Sequence, residues 1–409
     1  MNEDRQIATA ATCVEPNSSC DRFNVASSAV LSNPQTLPGR IPELDGLRGL
    51  AILLVIICHY IASADHLQLG YWPDRALTAL SVGWSGVDLF FVLSGFLIGG
   101  ILLDSRSSPN YFRTFYLRRA HRILPIYYAW ILLYVLVVAS AVTFLPHQSF
   151  TSKHDFAVVP IYVFFLQNIF YSLTGFQWRW FVVTWSLAVE EQFYLFAPPL
   201  IRFLTLRRLV TLLVIVIAAA PVLRFLAFHY LAKWYYLPQF AMPCRADALA
   251  FGILAAVAWR WPSFRTFLGK HPGLLQRVFA YMLIYLTGML WWLARPNGLV
   301  TYTIGYSSLA VFYTCLMLLV LSQTGGAVAR MARAGWLRYL GGISYCVYIV
   351  HLPIDEFASQ ILLHTRPRIY DLPGIAITLL AAIVTWLIAA VSWKYFEKPL
   401  IRRGHRYVY

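Results

Sequence analysis

Arg48 and His59 stand eleven residues apart in one apolar stretch, PELDGLRGLAILLVIICHYIA, running from Pro42 to Ala62. A helix of this length matches the hydrocarbon core of a bilayer. At about 100° per residue the two side chains fall within roughly 20° of one face, about 16 Å apart along the axis. An imidazole inside a span is costly unless it faces other protein or water, so His59 marks a site to test. The chemistry on offer is general-base removal of a hydroxyl proton, or transient carriage of an acyl group. The competing reading is a structural histidine hydrogen-bonded between helices.

Further ionisable residues lie at depth in other apolar stretches. Asp88 stands about five residues inside a second span, and Glu190 and Glu191 lie similarly deep in a fourth. Arg245 and Asp247 open a sixth, and His351 falls twelve residues into a ninth, beside Pro353. Asp88 can orient His59, as a carboxylate does in hydrolase triads, or pair with an arginine such as Arg245. Glu190 and Tyr194 are four apart and share a helix face, whereas Glu191 points about 100° away. Pro198 and Pro199 should kink that helix and free backbone carbonyls. Arg118, Arg119 and Arg122 cluster ahead of a third span, where guanidinium forks suit phosphate and simple topological anchoring competes. Ser94 and Ser344 read as helix-contact residues. No HExxH, P-loop or DxD-like pair occurs, so nothing points to a metal or a nucleoside triphosphate.

The elements that must position these groups follow from composition. Hydrophobic residues make up 59% of the 409 and charged ones 12%, against roughly a quarter charged in soluble domains. The apolar runs are continuous, without strand alternation, so the expected fold is an all-α polytopic membrane protein. Ten spans are expected, at 43–63, 83–103, 124–145, 185–205, 209–228, 244–261, 278–294, 302–323, 339–361 and 372–396. Phe156 to Tyr171 is apolar but short and holds Pro160 and Asn168, which suggests a re-entrant or interfacial helix. Treating it as non-spanning keeps most of the 33 Lys and Arg residues on one side, with both termini cytoplasmic. The net charge of +15 is thus explained by orientation signals, with no nucleic acid as partner. Residues 1–39 read as a disordered cytoplasmic tail without a cleavable signal peptide, 40–402 as the membrane domain and 403–409 as a basic tail. The six cysteines show no C-x-x-C or zinc spacing and read as buried small hydrophobes.

Seven motifs occur in order between Arg40 and Arg402: DGLRG with Arg-x10-His, DLFFVLSGF at 88–96, RRAHRILP at 118–125 and WSLAVEEQFY at 185–194. RADALAFG follows at 245–252, ISYCVYIVHLP at 343–353 and YFEKP at 395–399. The set resembles the acyltransferase family 3 of integral membrane proteins. The resemblance implies an O-acyltransferase moving an acyl group, usually acetyl, from cytoplasmic acyl-coenzyme A to a hydroxyl at the outer side of a bacterial-type cytoplasmic membrane. Acceptors in the family include lipopolysaccharide, exopolysaccharide, peptidoglycan, root-signalling oligosaccharides and macrolides, so a carbohydrate or lipid-linked glycan is expected. It further implies His59, Asp88 and Glu190 as catalytic, and Arg48, Arg118, Arg119 and Arg122 as the coenzyme A site. Arg245, Asp247 and His351 are expected around the substrate or an oxyanion. Some members carry an appended esterase-like domain; this chain resembles the stand-alone type. The rival reading from another class is a proton-coupled transporter of a sugar or anion.

Overall fold

A computed structural model describes residues 41–62, 76–77, 79–144, 157–175, 180–292 and 298–409. The tail expected over 1–39 lies outside the described residues. Helices dominate the rest, and the described residues contain no β-strand.

Helix α1 spans Pro42–Ile57, opened by a proline at its first turn, and runs into a π-helical turn over Cys58–Ala62. Helix α2 covers Gly86–Asp104 and α3 covers Tyr111–Phe144. Two short pieces follow, α4 (Val159–Val163) and α5 (Gln167–Thr174). Next come α6 (Trp185–Phe203), α7 (Leu206–Tyr230) and α8 (Met242–Arg260). After α9 (Pro262–Lys270) and α10 (Pro272–Trp292) stands α11 (Tyr306–Ser322), which is led by a π turn. Short α12 (Ala327–Ala332) precedes α13 (Gly335–Leu363) and α14 (Leu372–Ser392), and α15 (Lys398–Gly404) closes the chain's helices.

Eight helical stretches among the described residues are long and apolar enough to cross a membrane. The other two expected spans are also helices, α6 and α10. Helix α6 carries Glu190, Glu191 and Arg202 within 19 residues, so its hydropathy is diluted by the groups that make it interesting. The expected non-spanning segment is broken at Phe164–Leu166, where Phe165 takes a positive φ of 55°. Its longer piece, eight residues, reaches only about 12 Å.

Close glycine contacts set the centre of the bundle. A Cβ on Gly95 of α2 would overlap the Leu249 carbonyl of α8, and one on Gly252 would meet Val92 and Phe96 in return. Gly49 of α1 and Gly341 of α13 make the same reciprocal approach. With no hydrophobic drive between helices in lipid, such small-residue contacts let backbones pack by dispersion. Helix α2 is accordingly 83% buried over its apolar window and α7 only 22%, which makes α2 the hub and α7 part of the rim.

Side-chain contacts show which helix ends share a side. Arg260 pairs with Asp104 at 2.6 Å and Arg333 with Glu43 at 3.0 Å. Arg106 donates to the carbonyls of Arg202 and Leu204, and Gln276 to Gln323 at 2.7 Å. All of these lie at the Arg48 end of α1. At the opposite end Tyr60 donates to the His351 carbonyl at 2.9 Å and meets Thr385 of α14 at 2.9 Å.

Candidate active site

The π turn ending α1 widens the helix where His59 and Tyr60 leave it, a local geometry that recurs at functional sites. Tyr60 anchors this turn to α13 and α14. His59 is thereby set against His351, whose Nε2 lies 3.0 Å from His59 Nδ1. His351 is fully buried, and its Nδ1 sits 2.8 Å from the Tyr348 carbonyl and 3.1 Å from that of Val347.

His59 borders a cavity of about 360 Å³, together with Cys58, Trp84, Trp185, Arg245 and Tyr306. Arg245 is 2% exposed, donates to Asp88 Oδ1 at 2.7 Å, and lies 3.7 Å above the Tyr306 ring. Its Nε and Nη1 have no hydrogen-bond partner among the described residues, nor does Asp88 Oδ2. A guanidinium with unspent donors on a cavity wall is a ready receptor for an oxygen bearing negative charge. Asp88 therefore takes the arginine-paired of its two expected places. Asp247, expected beside it, is engaged elsewhere. Its Oδ2 accepts from Arg224 at 2.9 Å and Ser307 at 2.7 Å, and its Oδ1 from the Ala248 amide at 3.0 Å. Arg224 is fully buried in α7 and also reaches the Cys244 carbonyl at 2.5 Å. The sequence reading passed over Arg224, although a lone arginine in the apolar run of α7 is the signal that finds it.

A second cavity, about 90 Å³, lies toward the Arg48 end. Arg48, Arg119 and Arg122 line it, with Glu190, Glu191, Ser94 and Tyr194. Glu190 Oε1 accepts from Ser94 Oγ at 2.5 Å and from the Tyr194 hydroxyl. Ser94, expected as a helix contact, is thus part of the cavity's polar network. Both glutamates border the cavity, whereas helical spacing had suggested that only one would. The Arg119 guanidinium lies over the Tyr194 and Phe115 rings at 5.7 and 5.9 Å, with its buried Nε lacking a partner among the described residues. Arg48 has Asp45 at 3.9 Å. Three guanidiniums converge here, and the unpartnered Arg119 Nε leaves a donor that an anion could take.

Arg118 does not join them. Its Nε and Nη2 donate to the Tyr407 carbonyl at 2.9 and 2.6 Å, and its guanidinium lies 5.0 Å from the Tyr409 ring centre. In the stretch 403–409, expected as a basic tail, Tyr407 and Val408 are packed along the start of α3, with Thr114 donating to the Val408 carbonyl at 2.9 Å. His351, expected at the substrate, stands behind His59 and outside the lining of either cavity. Pro198 and Pro199 lack the amides that would bond the carbonyls of Tyr194 and Leu195. The Leu195 carbonyl accepts from Tyr116 of α3 at 3.3 Å, and the Pro198 carbonyl from Tyr111 at 3.0 Å, so this stretch of α6 docks α3. The two cavities adjoin at Val87 and Tyr348, which border both.

Comparison with known proteins bears on this arrangement. The chain is 26% identical over 388 residues to the O-acetyltransferase OatA of Staphylococcus aureus, covering 90% of this chain and 58% of that protein. It is 28% identical over 386 residues to the peptidoglycan O-acetyltransferase OatA of Listeria monocytogenes, covering 89% and 56% respectively. The chain therefore spans somewhat more than half the length of these relatives. No solved structure matches it. A family model described as an acyltransferase domain matches residues 41–394, which take in every helix that builds the two cavities, and the chain belongs to that family, acyltransferase family 3.

Proposed function

We propose that this chain is a membrane O-acetyltransferase that moves an acetyl group from acetyl-coenzyme A on the cytoplasmic side to a carbohydrate hydroxyl on the other. The observation that carries the reading is the pair of adjoining cavities, one walled by three arginines and the other by His59 and Arg245. Coenzyme A presents phosphates that suit Arg48, Arg119 and Arg122, and the orphaned Arg119 Nε fits such a ligand. Its thin acyl-bearing arm would pass Val87 and Tyr348 to bring the thioester to His59. There His59 takes the acceptor's hydroxyl proton as the oxygen attacks the thioester carbonyl. The C–S bond breaks as the C–O bond stays, and the proton goes to the departing thiolate, giving acetyl ester and free coenzyme A thiol. The unspent donors of Arg245 would stabilise the oxyanion between these steps. A peptidoglycan-like glycan is the favoured acceptor, supported by the likeness to the peptidoglycan O-acetyltransferase of Listeria monocytogenes.

The test is the purified chain in vesicles with acetyl-coenzyme A and a glycan fragment. Thiol release should match acetyl esters found on the glycan by mass spectrometry. Glycan movement without thiol release would favour the transporter reading instead. His59→Ala should abolish release, by at least about 100-fold, the lower range for loss of a general base. His59→Gln should be equally inactive, since it hydrogen-bonds but cannot titrate near neutrality. Normal turnover by either folded variant would remove His59 from the mechanism.

A further inference from the structure

A buried imidazole, His351, within hydrogen-bonding distance of the half-buried His59 raises a question of where each proton sits. His351 Nδ1 faces two backbone carbonyls, of Tyr348 and Val347. Carbonyl oxygens only accept, so this nitrogen carries a hydrogen. His351 is 0% exposed, and a second proton would place a cation in a site desolvated on all sides. The ring is therefore neutral, and its Nε2 is a lone-pair acceptor. Among the described residues the ring atom facing that lone pair is His59 Nδ1, 3.0 Å away, which must then be the donor. His59 in turn has its hydrogen on Nδ1 and none on Nε2. Since His351 borders neither cavity while His59 borders the larger one, the unprotonated edge of His59 is the one left for the cavity.

We propose that His351 is a positioning residue that holds His59 as the Nδ1–H tautomer, leaving His59 Nε2 as the base aimed at the acceptor hydroxyl. The proposal rests on the reading of His59 as base. A hydroxyl proton moves to His59 Nε2, making an imidazolium whose Nδ1–H remains bonded to His351 Nε2; the Nε2 proton then leaves with the thiolate. His351 stays neutral throughout and takes up no proton. In hydrolase triads a carboxylate fills this place. Here the carboxylate nearest that role in sequence, Asp88, is turned to Arg245, and an imidazole whose own tautomer is locked by helix carbonyls replaces it. The Tyr60 hydroxyl completes the clamp. It donates to the backbone carbonyl of His351, so the turn bearing His59 and the helix bearing His351 cannot slide apart.

The tautomer can be read without turnover. Nitrogen NMR on the full chain with ¹⁵N-histidine in lipid nanodiscs, assigned with His59→Ala, should find His59 protonated on Nδ1 alone at neutral pH. A coupling across the bond from His59 Nδ1 to His351 Nε2 is expected with it. His351→Phe keeps the ring volume and removes the acceptor. It should shift His59 toward the Nε2–H form and lower kcat about 100-fold, with KM for both substrates and the unfolding midpoint close to wild type. His351→Gln returns an acceptor oxygen near the same place and should recover part of the tautomer and of kcat. A purely structural His351 predicts that stability falls with Phe while the tautomer and the kcat of the folded fraction hold. That result, or an Nε2–H His59 in the wild type, overturns the proposal. Should His351→Phe fail to fold, the wild-type spectrum and His351→Gln still decide. Full turnover by His59→Ala with the Nδ1–H signal intact in wild type would instead sink the base reading, and the two failures are told apart.

Discussion

At the scale of single residues, the arginine-walled cavity separates two roles that sequence alone leaves mixed. Arg118 is consumed by the Tyr407 carbonyl, whereas Arg119 and Arg122, one and four residues further, border the cavity. If these two grip coenzyme A phosphates, Ala at either should weaken acetyl-coenzyme A binding by about 1.5–3 kcal/mol, the range for hydrogen bonds to charged groups. The loss should shrink for an acetyl-pantetheine fragment that lacks the nucleotide phosphates. Lys should rescue only in part, because an ammonium restores charge without the planar fork. Wild-type affinity of purified Arg119→Lys and Arg122→Lys would leave them as topology signals. Helical spacing was enough to put Arg48 and His59 on one face. It could not supply the partners, since His59 and His351 lie 292 positions apart and no local rule reaches that far. The same limit hid Asp247's partner. A carboxylate at site depth looks alike whether it faces a substrate or a buried guanidinium.

Between elements, that buried pair is the test of whether depth implies chemistry. Arg224 and Asp247 tie α7 to α8, with Ser307 of α11 bonded to both. Removing one partner from a buried pair typically costs about 3–5 kcal/mol, because the other charge is left uncompensated. Arg224→Met alone should therefore lower the unfolding midpoint sharply. Arg224→Met with Asp247→Leu should regain most of that stability, and the refolded double variant should acetylate as wild type does. A stable but inactive double variant would return Asp247 to the substrate site, where sequence reasoning had put it. Helix positions themselves were largely legible, since continuous hydropathy locates a span wherever lipid demands one. Their ends were less so. Helix α3 begins at Tyr111, thirteen residues before its expected span, because the Arg-rich stretch is a good helix former outside the bilayer. The DGLRG, LSGF and ADALAFG glycines proved to be points of backbone contact, so part of the motif signal records packing rather than catalysis.

Over the whole molecule, the contacts at the Arg48 end fix the number of crossings modulo two before any membrane is invoked. Arg106, in the turn after α2, reaches the end of α6 at Arg202 and Leu204. Helices α3 and α6 must then both cross, and α4 with α5 between them must return the chain to the side from which it entered. A crossing by that pair would move Arg202 to the far end, out of reach of Arg106. The Arg260–Asp104 and Arg333–Glu43 pairs extend the same parity to α8 and to the turn before α13. Basic residues crowd this end, at Arg106, Arg207, Arg208, Arg265, Lys270 and Arg330 among others, while the opposite end holds few, such as Arg366 and Arg368. From the positive-inside rule we propose that the Arg48 end faces the cytoplasm. In a chain freed of native cysteines, single cysteines at Asn110 and Thr324 should react with an impermeant thiol reagent only after the membrane is opened. Cysteines at Tyr230 and Arg366 should react in intact cells. Complete inversion would leave the bundle intact and overturn the proposed direction of acetyl transfer. Labelling of Asn110 and Arg366 from one side would break the parity itself, and with it the placement of the arginine-walled and His59-bearing cavities toward opposite faces of the membrane.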